Sequence, residues 1–170
     1  MLSRRTLIID PDLRRPTQHK LFNLPMRPGL TDVIDGNVTL AEAVQQTNVK
    51  GLSVLTCGEP HVYPSQFFES ERMRNLLAEA GAHYDLIIVD TPPVTSCVDA
   101  ITLSRDSDRL LLVARPNFTQ KEILMRAVSE LASNRIGILG FAINGTTVQT
   151  EKFYRYALQG YQPNSNASNP

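Results

Sequence analysis

Thr6-Leu7-Ile8-Ile9-Asp10-Pro11-Asp12-Leu13-Arg14-Arg15-Pro16 decides how this chain reads: a short apolar run, an aspartate, then a polar loop bounded by prolines. Thr6–Ile9 fits a buried strand, and Pro11, with no backbone N–H, cannot continue a ladder. The same design recurs at Leu86–Val89, followed by Asp90 and Thr91-Pro92-Pro93. A third apolar run, Ile136–Ile143, ends at Asn144-Gly145. In open α/β sheets, ligands bind outside the carboxyl ends of the strands, which makes Asp10, Asp90 and Asn144 candidate site residues. Two aspartates brought together there suit magnesium, which takes one or two carboxylates and completes its shell with phosphate oxygens and water. Aspartate also follows strands as an ordinary turn residue. Its recurrence at two equivalent positions favours the site.

Outward from these strands, the pattern alternates between strands and helices. Leu30, Val33 and Ile34 predict a short helix stopped by Gly36. Thr39 and Glu42 have capping-box spacing and predict a helix to about Thr47. Leu52–Leu55 reads as a strand closed by Gly58. From Ser70, the stripe Met73, Leu76, Leu77, Ala80 predicts a helix, with Gly81 as its stop. Leu110–Ala114 is a strand ended by Arg115-Pro116. Thr119 and Glu122 predict a second capping box, opening a helix to about Ser133 with Ile123, Ala127 and Leu131 inward. Such alternation calls for a three-layer α/β fold, a mainly parallel sheet flanked by helices on both faces.

Composition narrows the function. The 170 residues suit one domain, and 42% hydrophobic with 20% charged residues is ordinary for a globular protein. Lysine plus arginine equals aspartate plus glutamate at 17 each, so no global field favours nucleic acid or an anionic membrane. Cys57 and Cys97 form no CxxC pair, which fits a reducing cytosol better than a disulfide framework or zinc site. His19, His61 and His83 lack ligand-type spacing. No apolar run approaches the ~20 residues that span a bilayer.

The segments taken together resemble the bacterial tyrosine kinases of exopolysaccharide synthesis, within the wider MinD/ParA-like P-loop ATPases. Leu7–Pro16 is similar to their secondary Walker motif (an apolar run, then DxDxR), and Leu86–Pro93 to their Walker B strand. Pro28-Gly29-Leu30-Thr31-Asp32-Val33 and Pro64-Ser65 followed by Ser70-Glu71-Arg72-Met73 match in order and spacing. The resemblance runs from about Thr6 to Gly145. It implies ATP and Mg2+ as ligands, with Asp10 and Asp12 in catalytic roles. Asp12 and Asp90 would hold the metal, Asn144 would meet the adenine edge, and Arg14 would meet phosphate or a neighbouring subunit. It also implies a homo-oligomer beside a membrane-embedded polysaccharide chain-length activator, at the cytoplasmic face of the plasma membrane, with no nucleic-acid partner.

One departure is plain. The family's GxxxxGK[ST] phosphate loop has no counterpart, since the chain contains no Gly-Lys dipeptide. The expected fold therefore lacks the first strand–P-loop–helix unit: a partial ATPase domain over residues 1–150 and a tail over 151–170. In that tail, Tyr154, Tyr156 and Tyr161 are three of only five tyrosines. They are phosphoacceptor candidates by resemblance, or the apolar stripe of an amphipathic helix by spacing. The rival functions are a positioning or partition ATPase, and an interaction module that keeps the fold without binding nucleotide.

Overall fold

Thr6–Ile9 (β1) has a partner on each edge. It pairs in parallel with Leu52–Leu55 (β3) on one side and with Leu86–Val89 (β4) on the other. The computed structural model in which this is seen describes residues 4–59, 67–95 and 98–146. A two-residue strand, Gln45–Gln46 (β2), adds antiparallel to β3, so the first sheet has the order β2-β3-β1-β4. Leu110–Ala114 (β5) and Ile138–Ile143 (β6) form a separate parallel pair. The result is an α/β architecture with mainly parallel strands and flanking helices, as the alternation predicts.

Short helices follow β1: Gln18–Leu21 (α1), Leu30–Ile34 (α2) and Leu40–Ala43 (α3). The Thr39–Glu42 capping box forms, with the Thr39 hydroxyl accepting from the Glu42 N–H and the Glu42 carboxylate accepting from the Thr39 N–H. The helix it opens is one turn long rather than reaching Thr47. β-Branched Val44 turns extended, and the Gln45 side chain donates to the Pro25 carbonyl and the Thr56 hydroxyl. Glu71–His83 (α4) starts at Ser70, whose hydroxyl accepts from the Met73 N–H, and buries Met73, Leu76 and Ala80. It runs through Gly81 instead of stopping there, since a glycine facing open space weakens a helix by only ~1 kcal/mol. Val98–Arg105 (α5) is a helix that the sequence reading passed over, and Lys121–Ser133 (α6) is as expected in extent. The second capping box does not form, because the Thr119 hydroxyl accepts from the Arg115 N–H across the preceding turn.

Two apolar clusters result. One joins Leu7, Ile9 and Leu55 to Leu30, Ile34, Leu40, Met73, Leu76 and Leu103. The other joins Leu112 to Ile101 and Leu131. Because Leu103 and Ile101 both belong to α5, that helix lies over both sets of strands. The opposite face is different. Leu86 and Ile88 are each 44% exposed, and Leu111, Val113, Leu139, Phe141 and Ile143 are exposed at alternate positions of β5 and β6. The expectation that Leu86–Val89 is buried on both sides is thus corrected: only Ile87 and Val89 pack against the core.

A tight joint fixes the outer half of the first sheet. The Leu30 and Thr31 N–H groups donate to Thr56 and Cys57 carbonyls just past β3. At Gly29, a Cβ would fall 2.3 Å from the Gly58 nitrogen, so only glycine fits. Asp32, nearly inaccessible, accepts from the Gly29 N–H at 2.9 Å and from Arg27 Nη2 at 2.6 Å. Burial opposes its charge, but the Arg27 hydrogen bond, the Gly29 amide and the Arg27 charge outweigh it and hold the carboxyl below its usual range. A carboxyl whose pKa is lowered by folding contributes stability above its unfolded value, near 4, and loses it as pH falls through the folded value. Asp32→Ala should therefore cost about 2 kcal/mol in urea unfolding at pH 7, with the deficit shrinking towards pH 3. An equal deficit at both pH values would contradict this account of the joint.

Candidate active site

The ladder of the first sheet runs one residue beyond its strands. The Asp10 N–H donates to the Leu55 carbonyl and the Asp90 N–H to the Ile9 carbonyl, each at 3.0 Å. Since Ile9 is in register with Val89, Asp10 and Asp90 leave adjacent strands at the same level. The structure thus brings together the two aspartates singled out by strand-end position.

Their environments differ sharply. Asp10 is wholly buried. Its Oδ1 accepts from the Asp12 N–H at 3.2 Å, and its Oδ2 accepts from the Thr17 and Gln18 N–H groups, each at 3.0 Å. Thr17 makes no side-chain cap, so the first turn of α1 is capped by a carboxylate from the end of β1. That arrangement satisfies otherwise orphaned amides. Burial pushes the Asp10 carboxyl upward against the pull of those three amides, and the charge on Asp90 adds to the push. Behind it, the Cys57 thiol is pushed up to about 12 by burial and by the charges of Asp10 and Asp12, which makes it an inert thiol.

Asp12 and Asp90 are the accessible pair. Asp12 is half-buried, and its Oδ1 accepts from the Arg14 and Arg15 N–H groups at 3.1 and 2.9 Å, shaping the loop as an Asx turn. Asp90 is exposed, and its Oδ2 accepts from the side-chain amide of buried Gln18. Among the described residues, Asp12 Oδ2 and Asp90 Oδ1 have no partner. Arg14 reaches Asp99 on α5, Nη2 to Oδ2 at 3.7 Å. Gln18 and Asp99 were not singled out by sequence. Gln18 lies 72 positions from its partner, and Asp99 opens a helix that the Thr-Pro-Pro turn had hidden.

Among the described residues no three His, Cys, Asp or Glu side chains converge to hold an ion by themselves. Asp90 at the end of β4 and Asp12 in the loop that follows the neighbouring β1, each with a free oxygen, fit magnesium when phosphate completes its shell. Asn144 ends β6, its N–H donating to the Ala114 carbonyl, and shares no hydrogen bond with the aspartates. Tyr154, Tyr156, Tyr161, Cys97 and the Pro64-Ser65 segment lie outside the described residues.

The tyrosine-protein kinase ptk of Acinetobacter johnsonii is 39% identical over 142 residues, covering 84% of this chain and 19% of ptk. The putative tyrosine-protein kinase CapB of Staphylococcus aureus is 33% identical over 152 residues, covering 89% of this chain and 67% of CapB. The chain belongs to the bacterial tyrosine-protein kinases. The kinase domain of the Escherichia coli tyrosine kinase Etk superposes with a TM-score of 0.80 at 35% identity, covering 84% of this chain and 56% of that domain. No family model matches the chain. The chain spans about a fifth of ptk and two-thirds of CapB, so it corresponds to part of a tyrosine-kinase domain.

Within that family domain, the geometry separates two kinds of aspartate. Asp10→Ala should destabilise the fold by about 3 kcal/mol, because three N–H groups lose one charged acceptor. Asp12→Ala, in a half-exposed turn, should cost about 1 kcal/mol or less. Denaturant unfolding of both variants checks this, and equal losses would contradict the division of roles.

Proposed function

We propose that this chain supplies the metal-facing part of an ATP-dependent protein-tyrosine kinase domain serving exopolysaccharide synthesis, export and chain-length control. The observation that carries the reading is the placement of Asp12 and Asp90, each with a free carboxylate oxygen, beside the buried anchor Asp10. Phosphoryl transfer needs positioning and charge neutralisation more than covalent chemistry, and Mg2+ supplies that neutralisation when bound with ATP. Asp12 and Asp90 hold the metal, directly or through water. Asp10 is a positioning residue rather than a base, since its oxygens are engaged by amides and shielded from solvent. Arg14 ties the loop to α5 and keeps an exposed guanidinium for phosphate. Asn144 takes the adenine edge.

Family membership supports Tyr154, Tyr156 and Tyr161 as acceptors, modified by a neighbouring copy in a homo-oligomer. It equally supports a membrane-embedded activator as partner and a place at the cytoplasmic face of the membrane. Among the described residues no helix is long and apolar enough to cross a membrane. Residues 1–150 form the partial catalytic unit and 151–170 the acceptor tail. The lack of a GxxxxGK[ST] motif in the chain also supports a second reading, in which the chain alone is a non-catalytic interaction module.

The test uses the chain completed with a strand–GxxxxGK[ST]–helix segment, magnesium and ATP. Asp12→Ala and Asp90→Ala should each lower tyrosine phosphorylation about a hundredfold or more, ~2.7 kcal/mol in barrier, while exposed Asp35→Ala leaves it unchanged. Mass spectrometry should place the phosphate on Tyr154, Tyr156 or Tyr161. Phosphate elsewhere, or equal loss from all three aspartate variants, would overturn the proposal.

A further inference from the structure

Among the described residues, Gln18 alone donates hydrogen bonds to both strand-end carboxylates. Its backbone N–H donates to Asp10 Oδ2 at 3.0 Å, and its side-chain Nε2 donates to Asp90 Oδ2, 72 positions away. The first contact belongs to the closure of the loop over β1 and is open to any residue except proline. The second needs a side chain of this length that carries an N–H donor. Neither the start of α1 nor the capping of Asp10 accounts for it.

Burial and polarity fix the geometry of that second contact. Gln18 is buried, so its amide has little water to turn to, and a buried NH2 without an acceptor is costly. The carbonyl oxygen of the same amide cannot take the NH2 position, because it would face a carboxylate oxygen. Asp90 is exposed, and its carboxylate has no other hydrogen bond among the described residues. Gln18 therefore commits Oδ2 and leaves only Oδ1 free. The donor is also neutral. A lysine in its place would orient the carboxylate and cancel its charge, whereas the amide orients it and leaves the full negative charge for a cation.

The number of free oxygens bears on which cation is preferred. Mg2+ is small, demands a near-ideal octahedron, keeps several waters and takes one or two carboxylates, whereas Ca2+ is larger, gathers more oxygens and accepts both oxygens of one carboxylate. A carboxylate restricted to one oxygen suits the first and denies the second a bidentate ligand. We propose that Gln18 is the positioning residue that makes Asp90 a one-oxygen ligand, and that it thereby sets a preference for Mg2+ over Ca2+. This inference rests on the reading of Asp12 and Asp90 as metal-facing residues and adds to it the device that orients Asp90.

The probe is Mn2+, which shares octahedral oxygen ligation with Mg2+. It is added to the full 170-residue chain until the amide signals of Asp90 and Thr91 broaden, and Mg2+ or Ca2+ is then added to restore them. In the unsubstituted chain Mg2+ should restore them at lower concentration than Ca2+. Gln18→Met keeps the side-chain size and the N–H to Asp10 but removes the donor. It should weaken Mg2+ about tenfold, the scale of loss when a group orienting a metal ligand is removed, and leave Ca2+ nearly unchanged. Gln18→Ala should shift the ratio the same way, so the expectation does not hang on one packing. Gln18→Lys returns a donor with a charge, so both cations should weaken together and their ratio should stay. Leu21→Met, on the same helix and 72% exposed, should change neither. Dispersed amide signals of Leu52–Leu55 report that each variant is folded. Broadening at Asp90 with an unaltered ratio in Gln18→Met and Gln18→Ala, or an equal shift in Leu21→Met, overturns this inference and leaves the metal-facing reading standing. Mn2+ that spares Asp90 in the unsubstituted chain overturns both.

Discussion

A single buried carboxylate organises the chemically interesting end of this molecule. Asp10 leaves water completely, at the end of the strand flanked on both edges, and a carboxylate so placed is tolerated only when its oxygens are hydrogen-bonded. The three amides that satisfy it belong to Asp12, Thr17 and Gln18, so the loop from Pro11 to Pro16 must fold back over the strand end. Everything nearby inherits its position from that closure. Asp12 is turned outward, α1 begins where the second oxygen caps it, and Gln18 is set against Asp90 on the neighbouring strand. The accessible carboxylates are thus held by a residue that a ligand need not touch.

The same sheet shows what a parallel architecture requires and what these residues do not supply alone. On the α5 side, Leu103 and Ile101 link two apolar clusters into a continuous layer. On the other side, alternate residues of β4, β5 and β6 meet solvent. Burying a side chain of this size stabilises by about 1.5–3 kcal/mol, so seven such side chains represent a large unused driving force for association.

Much of this was legible in sequence, for identifiable reasons. β1, β3, β4 and β5 are short apolar runs terminated by proline, glycine or aspartate, and such runs read clearly. Asp10 and Asp90 were legible as strand-end residues because β1 and β4 repeat one design, whereas Asp12 was legible only through the resemblance to the family's DxDxR motif. What failed was mostly local competition. Thr39 capped its helix as spacing predicts, but Val44 and the Gln45 side chain ended it after one turn. Thr119 had the same spacing and spent its hydroxyl on Arg115 instead. α1 and α5 were missed because their starts depend on groups outside the local pattern, a carboxylate from β1 in the first case. The exposure of Leu86 and Ile88 was hidden too, since periodicity cannot tell a strand covered on both faces from one whose cover lies elsewhere.

The central claim is that Asp10 anchors the loop while Asp12 and Asp90 face the metal. Paramagnetic broadening by Mn2+ in amide NMR spectra of the 170-residue chain tests it most directly, because weak binding is enough for broadening. The account predicts that, as Mn2+ is added, signals of Asp12–Arg15 and of Asp90–Thr91 broaden first. Signals beside other surface carboxylates such as Asp85, Glu42 and Glu71 should follow only at higher Mn2+. Broadening that begins equally at all of these carboxylates, or that spares Asp12 and Asp90, would contradict it.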